Sequence, residues 1–258
     1  MYAYLKSNHQ VIQKITELSN QNSGGNLRKW TGLLNNKRVY IKTSSSERGK
    51  TWYECEAECV SCRVANLLGI SQVVFYYLDT LVLDKREYKV CYSFDFVGNG
   101  EYLSYNTLIP SASRAMGVQK YNLVTGFYPN LRSRIDTILL FDSIIGNNDR
   151  HLRNIGVLKI GNSYCIPLFD CGNSLFYNKS QQFIKTMLKS NLDYLPCKPF
   201  YSSFNKQLTL CNLKNIFLNR VYKEDVYKIV NRYYSGERAK LLCKFLVLRL
   251  RRFNLLWN

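Results

Sequence analysis

The sequence predicts an α+β fold in two lobes: an antiparallel sheet with one helix over residues 1–97, and a mainly helical part over residues 98–258. Three observations predict it. Up to position 97 the chain is dominated by β-branched and aromatic runs at 30–34, 38–42, 73–83 and 87–96, separated by turn residues, which read as strands joined in hairpins. An apolar stripe at helical spacing, over 52–68, interrupts them. Past Gly98-Asn99-Gly100 the pattern turns to helical runs, with no internal repeat and no Gly/Ser-rich linker.

Composition bounds the function classes. Of 258 residues 46% are hydrophobic, including 20 Tyr and 13 Phe, which excludes a disordered chain. The first residues, MYAYLKSNHQ, carry no apolar run and so no secretory signal peptide, and no stretch is long enough to read as a membrane helix. The expected compartment is the cytoplasm, with export as an effector requiring another route. Nine Cys without paired short spacings read as reduced thiols rather than a disulfide framework. Net charge is +18, from 36 Lys and Arg against 18 Asp and Glu, and a surplus of this size attracts polyanions: nucleic acid, an acidic protein or an anionic surface.

In chain order, Val11, Ile12, Ile15 and Leu18 sit at helical spacing and predict an amphipathic helix over 9–20, capped by Asn8; His9 falls near its start as a surface residue. A Gly-rich break at 22–26 follows, then strand 30–34, the turn Asn35-Asn36-Lys37 and strand 38–42, closed by Lys42. Glycines let backbone N–H groups approach phosphate oxygens without Cβ interference, although no strict G-x-G-x-x-G is present. Residues 52–68 form a helix ended by Gly69. Tyr53, Ala57, Val60, Val64 and Leu67 make its apolar stripe, and Glu58 lies opposite among the small residues Cys55, Cys62 and Ala65. A carboxylate so flanked can approach the neighbouring sheet and meet Lys42, whereas Glu54 and Glu56 read as solvent-facing charges. Cys55, Cys59 and Cys62 read as packed thiols, since no second ligand pair follows. Runs 73–83 and 87–96, turning at 84–86, add two strands. Residues 102–126 show weak patterning, and 129–145 is a strong helix carrying Asp142 and ended by Gly146. After residue 175 helices are expected at 181–189, 213–219, 223–234 and 237–256, the last bearing Arg249, Arg251 and Arg252, which flank its core stripe as a solvated face.

The chemistry is concentrated in 141–175, FDSIIGNNDRHLRNIGVLKIGNSYCIPLFDCGNSL. A polar loop follows the helix, then a hairpin of 155–158 and 164–168 turning at Gly161-Asn162, then Asp170 with Gly172 two positions on. Asp149 precedes Asn154 by five positions, the separation at which a kinase catalytic loop places the Asp that orients the hydroxyl nucleophile and the Asn that holds Mg²⁺. Asp170, after a strand and before a glycine, falls where a second Mg²⁺ ligand belongs. Magnesium takes oxygen ligands and usually one or two carboxylates, the rest being water and phosphate. Asp and Asn also favour turns by themselves; the order of both motifs along the chain is what carries the reading.

Asn147-x-Asp149-Arg150-His151-x-x-Asn154 followed by Pro167-x-Phe169-Asp170-x-Gly172-x-Ser174-Leu175 resembles the C-terminal catalytic half of the HipA-like serine/threonine kinases. The shorter Asp-Arg-His-x-x-Asn also occurs in phosphatidylinositol kinases, and the block 167–175 is closer to the HipA-like form. The resemblance covers most of the chain and is specific in 147–175. It implies a two-lobed protein-kinase-like fold and an ATP- and Mg²⁺-dependent transfer to Ser or Thr of a protein. In that reading Asp149, His151, Asn154 and Asp170 are catalytic and Asn154 and Asp170 hold the metal. Lys42, paired with Glu58, and the loop residues Ser23, Gly24 and Gly25 bind nucleotide, with Arg28 and Lys29 as the basic residues near the end of that loop. Arg150 and His151 shape the catalytic loop, His151 bonding the Asp170 turn, and Asp142 anchors that loop. Phe94 and Phe96 mark the stretch where adenine meets the hinge between lobes, and Ser23 matches a loop serine that some members autophosphorylate. Few residues precede the Gly-rich segment, so the expectation is a minimal kinase without the extra N-terminal subdomain of full-length HipA. An antitoxin, and an anionic partner such as a tRNA-bound protein or another polyanion, are the expected partners beyond the protein substrate. The alternatives are a phosphoinositide or small-molecule kinase, and an inactive kinase-like basic module that binds RNA or an acidic partner.

Overall fold

The computed structural model describes residues 3–6, 12–20, 27–47 and 50–257. Strands β1 (Ala3–Lys6), β2 (Ile12–Asn20), β3 (Lys29–Leu34) and β4 (Lys37–Thr43) lead through the short pair β5 (Ser46–Glu47) and β6 (Lys50–Thr51) into helix α1 (Glu54–Leu67), and then to β7 (Tyr77–Leu83) and β8 (Arg86–Phe94). From there the chain runs β9 (Glu101–Ser104), α2 (Tyr105–Leu108), α3 (Gly117–Phe127), α4 (Arg132–Ile145), β10 (Gly156–Ile160), β11 (Ser163–Cys165), α5 (Gln181–Met187), α6 (Phe204–Leu208), α7 (Lys223–Asn231) and α8 (Gly236–Arg252).

The hairpins form as their turns dictate. Asn35 and Asn36 both take positive φ, 51° and 59°, which suits the type I′ turn that matches strand twist. Asp84 and Lys85 do the same between β7 and β8. The expected antiparallel sheet is a closed barrel in the order β1-β2-β3-β4-β8-β7, with β1 pairing antiparallel to β7. Leu5, Ile15, Trp30, Leu34, Val39, Ile41, Leu81 and Val90 fill its interior.

Of the amphipathic helix expected over 9–20, the described part, residues 12–20, is instead strand β2, paired with β1 and β3. The register shifts between Thr16 and Ser19, with Glu17 at φ 53°. This β-bulge breaks the two-residue alternation, so Ile15 and Leu18, three apart, both reach the barrel core. The bulge imitates helical spacing. Other elements also depart from expectation: β7 begins at Tyr77, Val73 instead bridging in parallel to Leu168, the helix expected at 213–219 is one 3₁₀ turn over Leu213–Asn215, and the weakly patterned 102–126 holds β9, α2 and α3.

Helix α1 is covered on both sides. Cys55, Cys59 and Cys62 pack with Cys91 and Tyr76 against the outside of the barrel, while Ala57, Val60, Val64 and Leu68 join the helical core around Ile138, Phe141, Leu242 and Phe245. With both faces packed, Glu54 and Glu56, expected in solvent, are 4% and 1% exposed. Glu54 accepts from Ser45 and Glu56 from Lys89. Arg249 is likewise buried rather than solvated, bonding Asp193 and the Ser143 carbonyl. In the second part β9, β10 and β11 form a small sheet beside the helices.

Candidate active site

Lys42 is the penultimate residue of strand β4, opposite Cys91 of β8 and Lys29 of β3. Its neighbour Ile41 points into the barrel, so alternation sends Lys42 outward, toward α1. There its Nζ donates to Glu58 Oε1 and, at 2.8 Å, to Asp170 Oδ1. The second oxygen of Glu58 accepts from the Cys171 N–H at 2.8 Å. Glu58 thus holds both the lysine and the turn after Asp170. Gly172 makes room for it: a Cβ there would meet Glu58 Oε1 at 3.1 Å and the Glu54 carbonyl at 3.3 Å.

The loop that faces this cluster starts where α4 ends at Gly146 in the left-handed conformation, φ 66°, the usual glycine C-terminus. Asp142, fully buried in the last turn of α4, receives Arg150 Nε and Nη2, both at 2.9 Å, and Asn147 Nδ2 at 2.9 Å. Arg150, also fully buried, donates in turn to the Phe169 carbonyl at 2.6 Å and the Asn154 carbonyl at 3.3 Å. One guanidinium therefore ties the helix end, both ends of the loop and the segment just before Asp170 together. This is the anchoring role expected of Asp142, carried by Arg150. His151 does not bond the Asp170 turn: its Nδ1 is buried without a partner among the described residues.

Asn154 Nδ2 lies 2.5 Å from Asp170 Oδ2. Which amide atom faces the carboxylate is an assignment from the hydrogen-bond network; a half turn presents the amide oxygen beside the carboxylate instead. One carboxylate and one amide oxygen, in a pocket open to phosphate and water, fit a magnesium ion. Asp170 itself has φ 55°, a conformation that Asp tolerates better than most residues and that aims its carboxyl into the cleft. Asp149 lines the same cleft, one oxygen 2.9 Å from Asn173 Nδ2 and the other 2.7 Å from Lys198 Nζ.

Lys42, Asp149, Asn154 and Asp170 line one cleft of ≈ 690 Å³ together with Leu27, Lys29, Ser45, Glu54, His151, Arg153, Gly172, Asn173 and Tyr177. Its charge balance follows from burial and proximity. Burial works against the Asp170 carboxylate, but the Lys42 ammonium, with Arg150 and Lys29 farther off, holds its carboxyl well below the usual range. Burial also works against the Lys42 ammonium, yet Asp170 and Glu58 hold its pKa well above the lysine value. Glu58 is raised by burial against the pull of Lys42. His151 is lowered by burial, which favours the neutral ring.

Lys42, Glu58, Asp149, Asn154 and Asp170 are thus brought together, with His151 at the rim. Lys29 lines the cleft, whereas Arg28 turns away to the Tyr88 hydroxyl at 3.0 Å. Phe96 packs on Phe169 and Tyr102, ring centroids 5.1 and 6.0 Å away, next to Asp170. Phe94 ends β8, 39% exposed. Neither phenylalanine lines the cleft. Ser23, Gly24, Gly25 and His9 lie outside the described residues. Sequence reasoning missed Lys198. It comes from the proline-punctuated loop 195–200, where buried Gln207 takes the Phe200 N–H on its carbonyl and donates to the Lys198 carbonyl at 2.9 Å. Two prolines around a lysine were the visible signal, without anything to connect position 198 to position 149.

No protein-family model matches the chain, and no curated protein matches it in sequence. Solved structures do. The Helicobacter pylori proinflammatory kinase CtkA superposes with a TM-score of 0.67 at 19% identity, over 93% of this chain and 95% of that one. Hydra Fam20 with sugar gives 0.48 at 14% identity over 95% and 89%, and the golgi casein kinase 0.47 at 12% over 94% and 72%. The likeness to CtkA shows a kinase-like fold, as the resemblance of the 147–175 block implies.

Proposed function

We propose that the chain is an ATP- and Mg²⁺-dependent phosphotransferase of HipA-like type, acting on a Ser or Thr hydroxyl of a protein. One observation carries the reading: Lys42, Asn154 and Asp170, from a strand and two loops, form with buried Glu58 of α1 a continuous hydrogen-bonded chain beside a cleft that Asp149 also lines. A structural ion pair does not need the Asn, nor a second aspartate lining the same cleft.

Each group has work that its surroundings prepare. Lys42 would engage the α- and β-phosphates, its position set by Glu58. Asp170 and Asn154 would hold the metal, which supplies charge neutralisation on the phosphates when bound. Asp149 would accept the hydrogen bond of the incoming hydroxyl and orient its oxygen toward the phosphoryl group; Asn173 and Lys198 fix the carboxylate for that purpose. Arg150 and Asp142 keep the loop rigid, so the alignment costs little at the moment of transfer. The walls contribute positioning and electrostatics, which is where catalysis of phosphoryl transfer resides.

The test is transfer of radiolabelled phosphate from Mg·ATP to the chain itself and to protein, lipid and sugar acceptors, followed by mass spectrometry of the products. The reading expects phosphoserine or phosphothreonine, on Ser23 or another residue of the chain or on protein acceptors. Label in lipid or sugar alone would reassign the acceptor. Nucleotide binding without transfer to any acceptor would leave an inactive basic module.

A further inference from the structure

At the far end of α1 from the cleft the chain builds a second, unrelated pocket. Asn219 N–H bonds the Leu68 carbonyl at 2.9 Å, so the segment leading into α7 starts beside the C-terminus of α1, while Glu54 in its first turn lines the cleft. Residues 220–222 then run parallel to 255–257: Val221 bridges Leu256, its N–H bonds the Leu255 carbonyl, and Trp257 N–H bonds the Val221 carbonyl, both at 3.0 Å. Pairing buries Val221 and turns its neighbours outward. Tyr222 and Trp257 end as adjacent rings, centroids 6.4 Å apart and 31° from parallel, 57% and 48% exposed. The Arg220 guanidinium lies over Trp257 at 5.2 Å and is fixed by a bond to the Asn254 carbonyl at 3.1 Å. Lys223 and Arg251 join these rings around a pocket of ≈ 360 Å³.

Single exposed aromatics are ordinary, and others such as Phe217 are more exposed. What sets Tyr222 and Trp257 apart is that they sit side by side in one pocket lined also by Lys223 and Arg251, a contiguous aromatic patch whose basic lining does not suit a purely apolar partner. The combination fits a ligand that has flat π-faces and negative charge in alternation. We propose that this pocket binds an unpaired stretch of nucleic acid, a base stacking on Trp257 and Tyr222 and the flanking phosphates meeting Lys223 and Arg251. Stacking on aromatic side chains in a basic groove is how single strands are held without sequence preference, and the chain's net charge of +18 supplies the long-range attraction. Glu224, the acid among the lining residues, stands 3.8 Å from Lys223 and works against the phosphates.

The experiment is fluorescence anisotropy of the full chain with a short labelled single-stranded RNA, the same sequence as DNA, its duplex, and heparin as a polyanion without bases. Joint replacement Tyr222→Ala and Trp257→Ala should weaken single-strand binding by about tenfold or more, in keeping with base-stacking losses, and leave heparin binding unchanged. Arg251→Ala should lower the salt dependence by about one counterion, Glu224→Gln should tighten binding, and Trp257→Phe should retain most of it. Melting temperatures must match the wild type; should the double replacement fail to fold, the Glu224→Gln and Trp257→Phe pair decides. Absence of single-strand binding by the wild type, an unchanged affinity in the double variant, or equal losses toward heparin would overturn the proposal. Phosphotransfer does not enter the readout, so the outcome is independent of the activity proposed above.

Discussion

Asp170 shows what a single position is asked to do. Its carboxyl is shared between Lys42 and Asn154 while its backbone sits at φ 55°, so a useful substitution must keep the backbone and change the charge. Asn is among the few residues that adopt this conformation readily. Asp170→Asn and Asp149→Asn are each expected to lower turnover by at least ~10²-fold, a positioned acid or base being worth typically ~10²–10⁴, with far-UV circular dichroism unchanged; near-normal transfer by the Asp170 variant would reject the assignment. The same carboxyl predicts an acid response. Its folded pKa lies below the unfolded value of about 3.9, so the unfolded state binds more protons in that window. Its stabilisation is complete above about pH 4 and fades as pH falls toward the folded value. Glu58, raised by burial, contributes with the opposite sign. Asp170→Asn should therefore flatten the fall of melting temperature below about pH 4 relative to wild type, a comparison read by calorimetry at constant ionic strength. Lys198 acts through Asp149. A hydrogen bond to a charged group is worth about 1.5–3 kcal/mol, and Lys198 is exposed, which argues for the low end. Lys198→Met should cost about tenfold in kcat, leave the nucleotide KM in place and be partly restored by Lys198→Arg.

At the scale of elements, the anchor between α4 and the loop after it is an ion pair with both partners at 0% exposure. Breaking a buried pair leaves one charge stranded at a cost of about 3–5 kcal/mol, whereas removing both partners is often close to neutral. Asp142→Asn should lower the unfolding free energy by that order, and Asp142→Asn with Arg150→Met by clearly less than the two single changes summed; additive losses in denaturant titrations would mean that Arg150 is held by its carbonyl acceptors alone. The elements also explain what could be read in advance. Asp149, Asn154 and Asp170 lie within one helix-loop-hairpin segment, so their spacing is set by local geometry and is visible in sequence. Lys42 and Glu58 were legible because strand alternation and helical periodicity each assign a face. Lys198 was not, since its approach to Asp149 depends on how the helical part folds around Gln207. The β2 bulge at Glu17 converts strand spacing into helical spacing, and barrel closure rests on β1 meeting β7 across most of the first part, a pairing that no local pattern encodes. Burial of Glu54 and Glu56 required knowing that α1 is packed on two sides.

For the whole molecule, the cleft is where the barrel and the helical part are tied by charge. Lys42 from the barrel holds Asp170 across the gap, and Glu58 on α1, the helix packed against both, closes the link through Cys171. A nucleotide with its metal would enter this link rather than an empty surface: phosphates would compete for the ammonium of Lys42, and the metal for Asp170 and Asn154. The two parts would then be joined through the ligand, so binding should appear as stabilisation of the entire fold. A ligand that binds the folded state alone raises stability by RT ln(1 + [L]/Kd), about 2.7 kcal/mol at a hundredfold excess over Kd. Thermal unfolding with a non-hydrolysable ATP analogue and Mg²⁺ should show a rise in melting temperature that grows with ligand concentration and shrinks when the metal is chelated. Lys42→Met removes the cation proposed to face the phosphates and leaves buried Glu58 and half-buried Asp170 as neighbours of like charge, so it should melt lower than wild type and respond little to the analogue. A wild-type shift without the variant's loss would place the nucleotide elsewhere, and a variant that melts like wild type would mean that the Lys42 bridge contributes nothing to joining the two parts.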